Sequence, residues 1–129
     1  NILIYASINQ DIDKMLMSQK LIKDSFQDNR IMISTITLQE LIFTLSKLKI
    51  STDTIVYIYN AYCKFCRNYI DSDIINEAFE LCIKVDMCRN INDAIHLKFA
   101  EKYCEKLITY DKDFERFINF TDMKIEIIE

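Results

Sequence analysis

Apolar residues recur at intervals of three and four along most of the chain, and that spacing predicts helices. Between 11 and 28, Ile12, Met15, Leu16, Leu21 and Ile22 form a stripe, with Asp11 as candidate N-cap. Thr37 to Lys47 reads as a second helix, its Leu38, Leu41, Ile42 and Leu45 at the same spacing as the following Leu48. A tyrosine-rich helical pattern covers 52–68. Asp73 to Val85 predicts another helix with Ile74, Ala78, Leu81 and Cys82 inward, and Asn92 to Tyr103 a fifth with Ile95, Phe99 and Ala100 inward.

Other runs are shorter and denser. Residues 31–36 (IMISTI) are β-branched and apolar, which predicts a buried strand. Leu107 to Tyr110 predicts a second, followed by a polar turn, a brief helix near 112–118 and a last strand at 124–128 (KIEII). Residues 2–6 (ILIYA) suit either a helix or a strand. Helices alternating with such strands predict an α/β fold, a parallel sheet with helices on both faces. Ligands of such sheets sit beyond the carboxyl ends of the strands. Asp111 stands at one such end, directly after "LITY", and Glu40 follows another by a few residues.

A length of 129 residues predicts one domain, and no Pro/Gly/Ser-rich linker, repeat or low-complexity tract divides it. No apolar run approaches the ~20 residues of a membrane span. No leader-like segment is visible, so the expected location is the cytoplasm. The five cysteines (Cys63, Cys66, Cys82, Cys88 and Cys104) are an odd number, which there implies reduced thiols. Cys63-Lys64-Phe65-Cys66 has the C-x-x-C form, but it lies inside a helical pattern and lacks the second pair that a zinc knuckle requires.

The residues that are missing narrow the chemistry. With no glycine, a P-loop, a dinucleotide fingerprint and a G-x-S-x-G elbow are all excluded. With His96 as the one histidine, H-E-x-x-H zinc sites and paired-histidine acid–base chemistry are excluded too. An enzyme built from this chain would draw on its twenty carboxylates, which select a hard cation such as Mg²⁺ or Mn²⁺. The net charge of −4 argues against general electrostatic binding of nucleic acid, though bound metal ions can supply positive charge locally.

Three acidic positions stand where chemistry could use them, and each has a structural alternative. Thr37-Leu38-Gln39-Glu40 fits a capping box. Asp93 lies in the first turn of a predicted helix, where the exposed amides favour a carboxylate. Asp111 suits a turn after a strand. If all three converged at one sheet edge, carboxylates about 5 Å apart would repel by ~3 kcal/mol per pair at an effective dielectric near 20. Such a cluster either holds protons or binds a divalent cation.

The segments "NILIYA", "ISTITLQEL", "NDAIHLKFAEKY" and "LITYDKDF" resemble, in order, the successive motifs of the PIN-domain nucleases, most of all the VapC-type toxins of toxin–antitoxin pairs. The resemblance covers nearly the whole chain. It implies a three-layer α/β/α fold with a central parallel sheet. It gives Glu40, Asp93 and Asp111 the catalytic, metal-binding positions, with Asp113 as an auxiliary acid, Asn1 as the asparagine of the first motif and Thr109 as a residue that ties the site by hydrogen bonding. The family's first aspartate would stand two residues before Asn1 at the end of a first strand, so the natural chain is expected to begin upstream, with "ILIYA" opening the first helix region.

The implied activity is endoribonuclease cleavage. One or two Mg²⁺ or Mn²⁺ ions would lower the pKa of a bound water and neutralise charge at the phosphodiester. The implied partners are an RNA substrate, a small antitoxin and a second copy in a homodimer, with no membrane. His96, three residues after Asp93, can approach the site or simply pack. Tyr57, Tyr59, Tyr62 and Tyr69 can stack bases or divide between core and surface. Lys47, Lys49, Lys64, Arg67 and Arg89 are candidate phosphate contacts, whereas Glu77, Glu80, Glu101 and Glu105 read as solvated helix faces. Two other readings are a catalytically inactive PIN-like binding scaffold and a zinc module built on Cys63 and Cys66.

Overall fold

The computed structural model describes residues 1–129, which form two compact units, Asn1–Arg67 and Asn68–Glu129. The first unit is helical: α1 (Ile2–Ser7), α2 (Ile12–Gln27), α3 (Thr35–Lys47) and α4 (Thr52–Tyr62), then a 3-10 turn at Cys63–Phe65. "ILIYA" is therefore helix. Asp11 caps α2, its Oδ1 accepting from the backbone N–H groups of Asp13 and Lys14, both at 3.1 Å. The core gathers Leu3, Ile22, Ile33, Leu38, Leu41, Leu45 and Ile58. Ile22 and the α3 leucines are among the residues that the sequence periodicity singles out.

Two of the expected element assignments fail in this unit. Residues 31–36 form no strand. The chain runs irregularly to Ser34 and turns into α3 at Thr35. The apolar run is read correctly as buried at Ile33, but the unit holds no strand for it to pair with, and the Ile33 N–H donates instead to the Phe65 carbonyl at 3.2 Å. The tyrosine-rich helix also stops at Tyr62, so Cys63 and Cys66 lie in the turn beyond it.

Helix ends in a chain without glycine need another residue in the left-handed region, where a Cβ is normally penalised. Asn29, Lys49 and Asp86 take that role with φ of 51°, 60° and 54°. Each follows a helix by one residue beyond the C-cap, and the next residue donates back into the last turn: Arg30 N–H to Ser25, Ile50 N–H to Leu45 and Met87 N–H to Cys82, at 3.0, 3.1 and 2.9 Å. These are Schellman closures on α2, α3 and α5.

The second unit contains α5 (Ser72–Lys84), a 3-10 turn at Cys88–Asn90, α6 (Ile91–Tyr103), β1 (Lys106–Thr109), a 3-10 helix at Lys112–Phe120 and β2 (Lys124–Ile127). The two α-helices pack on each other. Ile74, Ala78, Leu81 and Cys82 of α5 are buried, as are Ala94, Ile95, Leu97, Phe99 and Ala100 of α6. Phe114 and Phe117 of the 3-10 helix are buried with ring centroids 5.8 Å apart, edge to face. β1 and β2 are parallel, pairing Lys106 with Lys124 through to Thr109 with Ile127. The elements are thus a mixture of mostly helices with a small two-stranded parallel sheet. No helix is long and apolar enough to cross a membrane.

Candidate active site

Both strands of the parallel pair end at the same side, and the chain leaving β1 carries the acids there. Thr109, buried, closes the strand; its carbonyl accepts the Ile128 N–H at 2.8 Å and its hydroxyl accepts the Asp111 N–H at 3.0 Å. Asp111, in extended backbone, then caps the following 3-10 helix, its Oδ1 accepting the Asp113 N–H at 2.9 Å. A threonine hydroxyl thus fixes one aspartate, which in turn fixes the next.

Asp93 arrives from the other side, in the first turn of α6. Asn90, the residue before that helix, has φ −100° and ψ 30° and makes no side-chain cap bond. Its amide serves the acids instead. Nδ2 donates to Asp93 Oδ2 at 3.0 Å and to Asp113 Oδ2 at 3.3 Å. A side-chain amide carries two N–H bonds, one for each carboxylate. The two acids are therefore linked through one side chain although they stand 20 positions apart in the sequence. Asn90 escapes a sequence reading aimed at acids. Its position one turn before Asp93, in "RNIND", is a visible signal, but its link to Asp113 is not.

The surroundings are polar and open. Asp93, Asp111 and Asp113 are each half-buried. Arg116 Nη2 lies 3.9 Å from Asp113 Oδ1, both groups about half exposed, so this pair is weak and screened. Arg116 Nη1 contacts Met87 Sδ at 3.2 Å. The buried Cys82 marks the apolar side: burial pushes its thiol up, and the nearby Cys88 and Asp93 push it further the same way. His96 sits half-buried on α6.

Of the expected ligand set Glu40, Asp93 and Asp111, the two aspartates lie in the second unit. Within the second unit the acids directly bridged are Asp93 and Asp113, with Asp111 joined through the Asp113 backbone. Glu40 belongs to the first unit, and Asn1 is the exposed residue preceding α1, its carbonyl accepting from Tyr5 N–H at 3.0 Å. In neither unit do three His, Cys, Asp or Glu side chains meet as a ready ligand group, at Cys63 and Cys66 included.

The capping box at Thr37–Glu40 is also overturned. The helix starts earlier, and Ser34 is its N-cap, with Oγ accepting the Thr37 N–H at 3.1 Å and lying 3.0 Å from Thr37 Oγ1. A glutamate reciprocates a cap only from the third helical position, which Thr37 occupies. Glu40 stands in the second turn, half-buried, beyond reach of the cap.

The donor set of the second unit consists of carboxylate oxygens with amide and hydroxyl groups, and these suit a hard divalent cation over a soft one. Two half-buried carboxylates sharing a neutral amide leave negative charge of the kind such an ion neutralises, although no three of these side chains assemble as a ligand group. No curated protein and no solved structure gives a significant match to the chain. The PIN domain family model matches residues 1–118, nearly the full length, and PIN domains are generally nucleases. The chain belongs to the PIN domain family.

Proposed function

We propose that this PIN-domain protein is a metal-dependent endoribonuclease, the toxin of a VapC-type toxin–antitoxin pair acting in the cytoplasm. The single observation that carries the chemistry is the Asn90 bridge, which brings Asp93 and Asp113 together beside the Thr109-anchored Asp111. Asp93, Asp111 and Asp113 would hold Mg²⁺ or Mn²⁺ through carboxylate oxygen, and the family resemblance gives Glu40 the same task. A bound cation supplies Lewis acidity and offsets charge on the scissile phosphate.

The chain's own groups do the rest. Asn90 orients two carboxylates with one amide. Thr109 fixes the backbone from which Asp111 projects. Arg89, Lys112 and Arg116, exposed on the segments that carry the acids, provide cations for RNA phosphates in a protein of net charge −4. Their contribution would appear as a salt-dependent affinity. No side-chain nucleophile is required. The partners proposed with this reading are an RNA substrate, a small antitoxin and a second copy in a homodimer, within a three-layer α/β/α fold.

Asp93→Asn keeps nearly the same shape and the capacity to accept from Asn90, but removes the charge. The variant is expected to fold, as judged by circular dichroism, and to lose Mg²⁺- or Mn²⁺-dependent cleavage of a labelled RNA. Cleavage at the parent rate by the folded variant overturns the reading.

A further inference from the structure

We infer that Cys63 and Cys66 form a thiol–disulfide modification site, a redox-sensitive clasp on the turn that ends α4. The turn puts the two residues in position while still reduced. Cys66 N–H donates to the Cys63 carbonyl at 3.1 Å, an i to i+3 closure that brings the two Cα atoms within the span a disulfide bridges. Both side chains are half-buried, packed at the edge of the first unit's core, whereas Cys82 is fully enclosed and Cys88 is exposed. The Cys63 thiol contacts the Asn60 carbonyl at 3.8 Å, so one sulfur is already oriented at the helix end. Burial, and then the neighbouring Cys63, push the Cys66 thiol up.

The turn is not an isolated loop. Phe65, between the two cysteines, accepts the Ile33 N–H and stacks against Phe26 with centroids 4.8 Å apart. Arg67, one residue past Cys66, donates from Nη2 to the Ile31 carbonyl at 3.3 Å. The clasp therefore grips residues 31–33, the segment that delivers Ser34 to the start of α3. Closing the disulfide would stiffen that grip without requiring a new backbone path.

The oxidant is a low-molecular-weight disulfide such as oxidised glutathione. The thiolate of one of the two cysteines attacks one glutathione sulfur and expels a glutathione thiolate, leaving a mixed disulfide. The thiolate of the other then attacks the protein sulfur of that link and expels the second glutathione. Two protein thiols are oxidised, one disulfide is reduced, and the two protons released by the cysteines end on the two glutathione thiols.

The test equilibrates the full chain with stepped ratios of reduced to oxidised glutathione, followed by alkylation and peptide mass mapping. Trypsin cuts after Lys64, so a linked pair survives as one two-chain peptide. The expected result is a Cys63–Cys66 link within one molecule, a melting temperature raised by something on the order of 5 °C, and slower amide exchange at Ile33. Cys63→Ser and Cys66→Ser should each abolish the rise, whereas Cys88→Ser should keep it. If a serine variant misfolds, the mapping of the unaltered chain still decides. Oxidation elsewhere or between molecules, or a Cys63–Cys66 link with unchanged melting and exchange, overturns the proposal.

Discussion

Replacing Ser34 by alanine tests where α3 begins and, with it, what Glu40 is for. Ser34 is buried at 3% exposure, and its Oγ satisfies the Thr37 N–H at 3.1 Å while pairing with the Thr37 hydroxyl at 3.0 Å. Loss of a serine cap costs about 1 kcal/mol. The Thr37 hydroxyl, left short of a partner in a half-buried position, adds roughly 0.5–1 kcal/mol. Ser34→Ala should therefore destabilise by about 1.5–2 kcal/mol, a fall in Tm of roughly 6–8 °C for a domain of this size. Urea denaturation followed by far-UV circular dichroism would show a midpoint lowered by about 1 M at an ordinary slope. Ser34→Asp, which also caps, should recover most of the loss. Glu40→Gln, outside the cap, should cost less stability than Ser34→Ala and should act on cleavage instead. A Ser34→Ala variant within about 0.5 kcal/mol of the parent refutes this account of the helix start.

Two further outcomes follow from the second unit. Asn90→Ala removes one donor from two carboxylates at once and should cost about 1–2 kcal/mol in metal-free protein, the range being low because the group is half exposed; an unchanged thermal midpoint would show that the bridge carries no energy. Asp71 is held below the ordinary carboxylate range chiefly by the Ile74 backbone N–H it caps, and next by Lys102. A lowered folded value means its stabilisation is complete above the unfolded value and lost as pH falls through the folded one. Stability should therefore decline more steeply from about pH 4 downward in the parent than in Asp71→Asn, which caps without titrating; parallel declines would contradict the assignment.

What the sequence reveals depends on whether the cause is local. The inward faces of α5 and α6 are legible because burial at 3–4 spacing is a one-dimensional signal: Ile74, Ala78, Leu81 and Cys82 are buried as the periodicity demands. Asp11 as a cap is legible for the same reason. The 31–36 run misleads because β-branched composition reports burial, and only a neighbouring strand converts burial into a ladder. Thr37–Glu40 misleads because two hydroxyl residues, Ser34 and Thr37, compete for one cap, and the pattern of a capping box does not decide between them. At the candidate site, Asp93, Asp111 and Asp113 are visible as acids near element ends. The Asn90 bridge that joins two of them depends on tertiary placement and has no sequence period to betray it.

The left-handed helix closures at Asn29, Lys49 and Asp86 have a consequence for how this protein can change. Each position carries a side chain where a bare backbone would relax more easily, yet each also keeps the denatured chain stiffer than glycine would. Substitution there redistributes free energy between the native and disordered ensembles without touching any core contact. These three sites are accordingly the places where an engineer could tune rigidity around α2, α3 and α5 while leaving the acids alone.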